Sequence, residues 1–138
     1  MGSGNSSRYN NTIGSLISDY LIEELRNSGV KFTESDIVMI TKTKKGELVW
    51  LEKGNQYAGL QHIISRHEQD FKNKFGILKH NIPSFIKEVF SDDIEIKSIK
   101  KGNGVEKIFL YNQQYIILSG VGNNGFIVTM YPLKMKGI

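Results

Sequence analysis

Apolar residues near the start of the chain recur at helical spacing: Ile13, Leu16, Ile17, Tyr20, Leu21 and Leu25. That stripe predicts an amphipathic helix over residues 13–27, with Thr12 or Ser15 able to cap its start and Gly29 just past its last turn. Two β-rich segments follow, residues 37–43 and 47–51, flanking Lys44-Lys45-Gly46, and they predict a hairpin. Lys53-Gly54-Asn55 breaks that pattern ahead of a second helix, residues 57–75, ended by Gly76. Asn81-Ile82-Pro83-Ser84 opens a third, short helix carrying Phe85, Ile86, Val89 and Phe90, with Pro83 in the first turn, where a missing N–H costs nothing.

From Ile94 the period changes to two. Residues 94–99, 105–111, 115–119 and 126–131 alternate as strands, and Gly102-Asn103-Gly104, Asn112-Gln113-Gln114 and Gly122-Asn123-Asn124-Gly125 supply the turns. Four consecutive antiparallel strands in a meander are expected, so the order is helices first and sheet last. This predicts an α+β fold, N-terminal helices packed on a twisted antiparallel sheet of about four strands, with a hairpin preceding it. Residues 1–11 read as a flexible linker or expression-derived tail, and residues 12–138 as a single domain.

Composition adds limits. With 39% apolar and 23% charged residues and no apolar run near the length of a membrane span, a soluble chain is expected. The opening Met1-Gly2-Ser3-Gly4-Asn5-Ser6-Ser7 has neither the apolar core nor the cleavage pattern of a signal peptide. Lys and Arg outnumber Asp and Glu 18 to 14, a net charge of +4, which tilts the field toward polyanions. The absence of cysteine excludes disulfides, thiol catalysis and Cys-ligated zinc.

Candidate chemistry concentrates between Gly59 and Phe71, where two of the three histidines share one helix. At about 100° per residue, Leu60, Ile64, His67 and Phe71 form one stripe, while His62, Arg66 and Gln69 fall on the opposite side. His62 and Arg66, at i and i+4, can point at one ligand. His67, inside the apolar stripe, is either a buried histidine bonded to backbone or a functional group facing a polar cleft. On the last strand Thr129 and Tyr131 stand two apart and so share a face. Metal-independent RNA cleavage needs a base, an acid and donors for the developing phosphorane charge, and these residue types suffice.

Other chemistries find less support. His62 and His67 are five apart, about 140° around the axis, without the spacing of a zinc site. His80 precedes the Pro helix and reads as solvated. Glu95-Ile96-Lys97 after Asp92-Asp93 has the outline of a metal-dependent nuclease strand, but its acidic pair lies too near in sequence to converge from a separate element. No phosphate-binding glycine loop and no Ser-His-Asp order is present.

Leu51-Glu52-Lys53-Gly54-Asn55, then Gly59-Leu60-Gln61-His62-Ile63-Ile64-Ser65-Arg66-His67 with Phe71, and finally Gly125-Phe126-Ile127-Val128-Thr129-Met130-Tyr131-Pro132 together resemble the barnase/EndoU/colicin/RelE-like (BECR) nuclease superfamily. Its phage-associated nuclease domains and polymorphic, contact-dependent toxin domains are the nearest in pattern. The resemblance spans residues 37–135 by order of elements, and only the G-L-x-H-I-x-x-R-H block and the T-x-Y strand are specific. It implies a ribonuclease without metal or other cofactor, often acting on tRNA. Carried over by residue, it implies catalytic roles for His62, Arg66, His67, Thr129 and Tyr131, with Lys53 and Arg66 contacting substrate. The second His-containing loop followed by lysine, found in EndoU-type members, is missing. A toxin domain of this kind is secreted within a larger protein, acts in the target-cell cytoplasm, and has a cognate immunity protein covering its basic cleft; the chain itself is expected to be a monomer.

Two further readings remain. A non-catalytic RNA- or protein-binding module could stack bases on Tyr111, Tyr115, Phe126 and Tyr131. A metal-dependent nuclease would use Glu95 and Lys97.

Overall fold

A computed structural model describes residues 16–133. Helix α1 spans Asp19–Asn27, strands β1 (Ile37–Lys42) and β2 (Leu48–Glu52) form the hairpin, and helices α2 (Leu60–Phe75) and α3 (Ile82–Asp92) follow. Strands β3 (Ile94–Lys101), β4 (Gly104–Tyr111), β5 (Tyr115–Gly122) and β6 (Ile127–Leu133) then make an antiparallel sheet in the order β3-β4-β5-β6. The architecture is α+β, and the four-strand meander and its preceding hairpin are those predicted.

Two helix starts differ from expectation. α1 is capped by Ser18, whose hydroxyl accepts the Leu21 N–H at 3.4 Å, while Thr12 and Ser15 lie outside the described residues. α2 begins at Leu60 rather than at residue 57. The Asn55 side chain takes the N–H groups of Tyr57 and Ala58 and holds them in a turn.

Apolar burial explains the layering. The main core joins Ile63 and Phe71 of α2, Ile82, Phe85, Ile86, Val89 and Phe90 of α3, and Met39, Val49 and Leu51 of the hairpin to one face of the sheet: Phe109, Ile117, Val121, Ile127 and Met130. A second cluster lies on the other side of the hairpin, where Ile22 and Leu25 of α1 pack on Ile37, Ile40 and Trp50. The hairpin is therefore a middle layer, which is why its strands are apolar on both faces. α1 consequently covers the hairpin rather than the large sheet. Trp50 anchors this layer, bonding its backbone N–H to the Gly125 carbonyl at 3.0 Å and its indole N–H to Glu52 Oε2 at 2.9 Å.

At the far end the β1–β2 turn is tied to the sheet by charge. Lys107, only 6% exposed in its side chain, contacts Glu47 at 3.0 Å and Glu95 at 2.9 Å, and Lys45 reaches Glu95 at 2.9 Å. The second sheet face carries Lys97 and Ile99 of β3, Glu106, Ile108 and Leu110 of β4, Ile116, Leu118 and Gly120 of β5, and Thr129, Tyr131 and Leu133 of β6. Ile116 and Leu118 are buried yet belong to neither apolar cluster among the described residues. No described helix is long and apolar enough to cross a membrane.

Candidate functional site

The site is built where α2 enters the fold. Gly54 and Gly59 both have positive φ, +67° and +89°. A Cβ on Gly54 would collide with the Ala58 carbonyl, and one on Gly59 would lie 2.9 Å from the Glu52 carbonyl oxygen. The loop thus needs glycine twice to close on itself. It is fixed to β6 by a bond from Gly59 N–H to the Val128 carbonyl, 2.9 Å. Val128 is the extra residue of a bulge, since Thr129 pairs with Gly120 and Ile127 with Val121. That bulge frees the carbonyl that docks the helix on the strand edge.

Docking sets α2 so that Ile63 and Phe71 are fully buried while His67 lies between them at the rim, 20% exposed in its side chain. Its ring stacks on Tyr131 with centroids 4.7 Å apart and planes at 17°. The histidine on the apolar stripe is not sealed in the core, and among the described residues it bonds to no backbone group. It faces the strand that carries Thr129 and Tyr131.

His62 does not point away as its helical phase predicts. Its ring centroid is 6.4 Å from that of His67, at 84°. Helical side chains lean toward the N-terminus, and the His62 ring turns back to the preceding loop, where Nδ1 lies 2.9 Å from the Gln56 carbonyl oxygen. A carbonyl only accepts, so Nδ1–H is the donor, and among the described residues Nε2 has no partner. His67 is held similarly, its Nδ1 3.2 Å from Asp70 Oδ2 one turn along. Two imidazoles therefore share one rim, each tethered at Nδ1 and each offering Nε2.

Thr129 shares a sheet face with Tyr131, beside Gly120 on β5, where a Cβ would lie 3.4 Å from the Thr129 methyl. Among the described residues the buried Thr129 Oγ1 has no hydrogen-bond partner. Arg66 follows His62 by one turn and is exposed, and Lys53, whose carbonyl accepts the Gln61 N–H at 2.9 Å, is exposed at the helix start. Neither cation enters an ion pair among the described residues. His80 is exposed in the short turn Lys79–Asn81.

The two competing sets of residues do not assemble. Lys97 pairs with Ile108 and Glu95 with Phe109, because a bulge at residue 96 turns Glu95 to the core face and Lys97 to the opposite one. Glu95 is then occupied by Lys45 and Lys107. Among the described residues no group of three His, Cys, Asp or Glu side chains could hold a metal ion. The expected aromatic platform is also dispersed. Tyr111 and Tyr115 pack edge-on against Phe75, and Phe126 against Trp50. Only Tyr131 remains on the site's face.

Three contributors escaped the sequence reading. Asp70, at i+3 from His67, was legible as a helical neighbour. The Gln56 carbonyl is backbone and leaves no mark in residue identity. Tyr57 stands in the loop itself, 75% exposed. Comparison of the chain with known family models and with curated proteins gives no match.

Proposed function

We propose that this domain is a metal-independent ribonuclease that cleaves by 2′-OH transesterification. The observation that carries the reading is the pair of histidine rings 6.4 Å apart, both presenting Nε2, one of them stacked on Tyr131. One Nε2 takes the 2′-OH proton as the oxygen attacks phosphorus, and the other imidazole, protonated, gives its proton to the departing 5′-oxygen. The products are a 2′,3′-cyclic phosphate and a free 5′-hydroxyl, and no metal or redox partner is required. Arg66 is suited to clamp the phosphate through two parallel hydrogen bonds. The Tyr131 hydroxyl donates to the charge that builds on the phosphorane oxygens, and Lys53 adds positive field at the helix start, while Thr129, whose Oγ1 is buried, lines the same strand face.

The resemblance to the BECR superfamily supports the same reading and extends it to a toxin domain, with tRNA as substrate and an immunity protein as partner. Purified protein incubated with total RNA in EDTA is expected to cleave it, leaving cyclic-phosphate ends. Intact RNA at micromolar protein would sink the proposal, as would unchanged cleavage by both His62→Ala and His67→Ala.

A further inference from the structure

Tyr57 exposes 75% of its surface to solvent from a loop whose backbone is tied by hydrogen bonds. Its own N–H donates to Asn55 Oδ1 at 2.8 Å, and the next residue's N–H donates to the same oxygen at 3.2 Å. The loop is closed by Asn55 N–H to the Ala58 carbonyl, 2.9 Å, and pinned to β6 through Gly59. The residue immediately before it, Gln56, is the one whose carbonyl holds His62. An exposed ring on a hydrogen-bonded loop thus follows directly the residue that holds His62, while three of the four aromatics expected to stack on substrate lie elsewhere.

We propose that Tyr57 is the base-stacking platform of the site, taking the face of an unpaired nucleobase adjacent to the phosphate held between the histidines. The proposal deepens the nuclease reading by naming single-stranded RNA as the substrate class and Tyr57 as a binding residue. An aromatic ring suits that ligand because every base has a π-face, and its mounting on a closed loop lowers the ordering cost of binding. Because a π-face is common to every base, the platform selects unpaired over paired RNA.

The test is a double-mutant cycle on binding. Octauridylate carrying 2′-O-methyl groups lacks the nucleophile and cannot be cut, and an abasic strand of equal length removes the bases alone. Fluorescence anisotropy with labelled strands is expected to show Tyr57→Ala weakening the uridylate by about 5- to 150-fold, the span of about 1–3 kcal/mol that one stacked base contributes. The abasic strand should lose under about twofold, and Tyr57→Phe should bind as wild type because the ring and not the hydroxyl is used. Equal losses on the two strands, no loss on either, or failure of the wild-type protein to bind the uridylate would each overturn the proposal. Base-dependent binding through Tyr57 by a protein that leaves total RNA intact would instead overturn the nuclease reading and keep the platform.

Discussion

The His67 ring lies flat against Tyr131, 4.7 Å between centroids and 17° between planes. A helix residue and a strand residue 64 positions apart are thereby held as one unit at the edge of the sheet. Stacking fixes the imidazole without using either ring nitrogen, which leaves Nδ1 for Asp70 and Nε2 for substrate.

This predicts different losses at Tyr131. Tyr131→Ala removes both stack and hydroxyl, whereas Tyr131→Phe keeps the stack. Under the nuclease reading the alanine variant should lose about 100-fold or more in kcat, comparable with His67→Ala, and the phenylalanine variant roughly tenfold. Single-turnover cleavage of a short RNA, with thermal unfolding measured alongside, separates the site from stability. Equal kcat for the two Tyr131 variants would remove the stack from the mechanism.

Asp70 acts through His67, as a positioning residue. Asp70→Asn can turn an amide N–H toward Nδ1, so that Nδ1 accepts and the proton moves to Nε2. Two-bond ¹H–¹⁵N spectra of the imidazoles should show His67 changing tautomer while His62 does not. Under the nuclease reading kcat should fall roughly tenfold or more with KM little changed, since a wrong tautomer disables proton transfer and not binding. Rescue by Asp70→Glu is expected if the carboxylate's role is orientation.

The ion cluster makes a stability prediction. Lys107 and Glu95 are both nearly buried, and removing Lys107 leaves Glu95 with the exposed Lys45 alone. Lys107→Met should destabilise by about 2 kcal/mol in urea denaturation at pH 7. Burial pushes the Glu95 carboxyl up, but hydrogen bonds from Lys45 and Lys107 and their charges bring it net below its ordinary range. Burial draws Lys107 down, and its bonds to Glu95 and Glu47 hold it net above its usual value. The cluster's stability is therefore full through neutral pH. It is lost as pH falls through the depressed value of Glu95, and again as pH rises beyond the ordinary range of lysine. The difference between Lys107→Met and wild type should shrink toward pH 3.

Asp93 works in the other direction. Burial first, then the charges of Glu88 and Asp92 against a smaller opposing effect of Lys44, push its carboxyl up to about 6, and its Oδ2 has no partner among the described residues. The native state holds its proton more tightly than the unfolded chain. The stability this confers is present below the ordinary carboxylate value and is lost as pH rises through about 6. Asp93→Asn should raise stability near pH 7.5 by about 1 kcal/mol, a partly exposed group being screened by solvent, and change little at pH 4. Paired urea titrations at the two pH values decide it.

Periodicity in the sequence determined the secondary elements and their antiparallel order, because the spacing of apolar residues at 3.6 or 2 is a local property that each segment carries itself. It also placed His62, Arg66 and His67 on one helix, and Thr129 with Tyr131 on one strand face. It did not determine which faces meet. The bulge at residue 96 separated Glu95 from Lys97, and the bulge at Val128 docked α2 on β6. Packing around Phe75 and Trp50 absorbed three expected stacking residues. The convergence of His62 on His67 likewise depended on a backbone carbonyl in a neighbouring loop. Bulges, docking angles and backbone acceptors arise from contacts between segments distant along the chain, so they were decided only when the hairpin, helices and sheet closed on a common core.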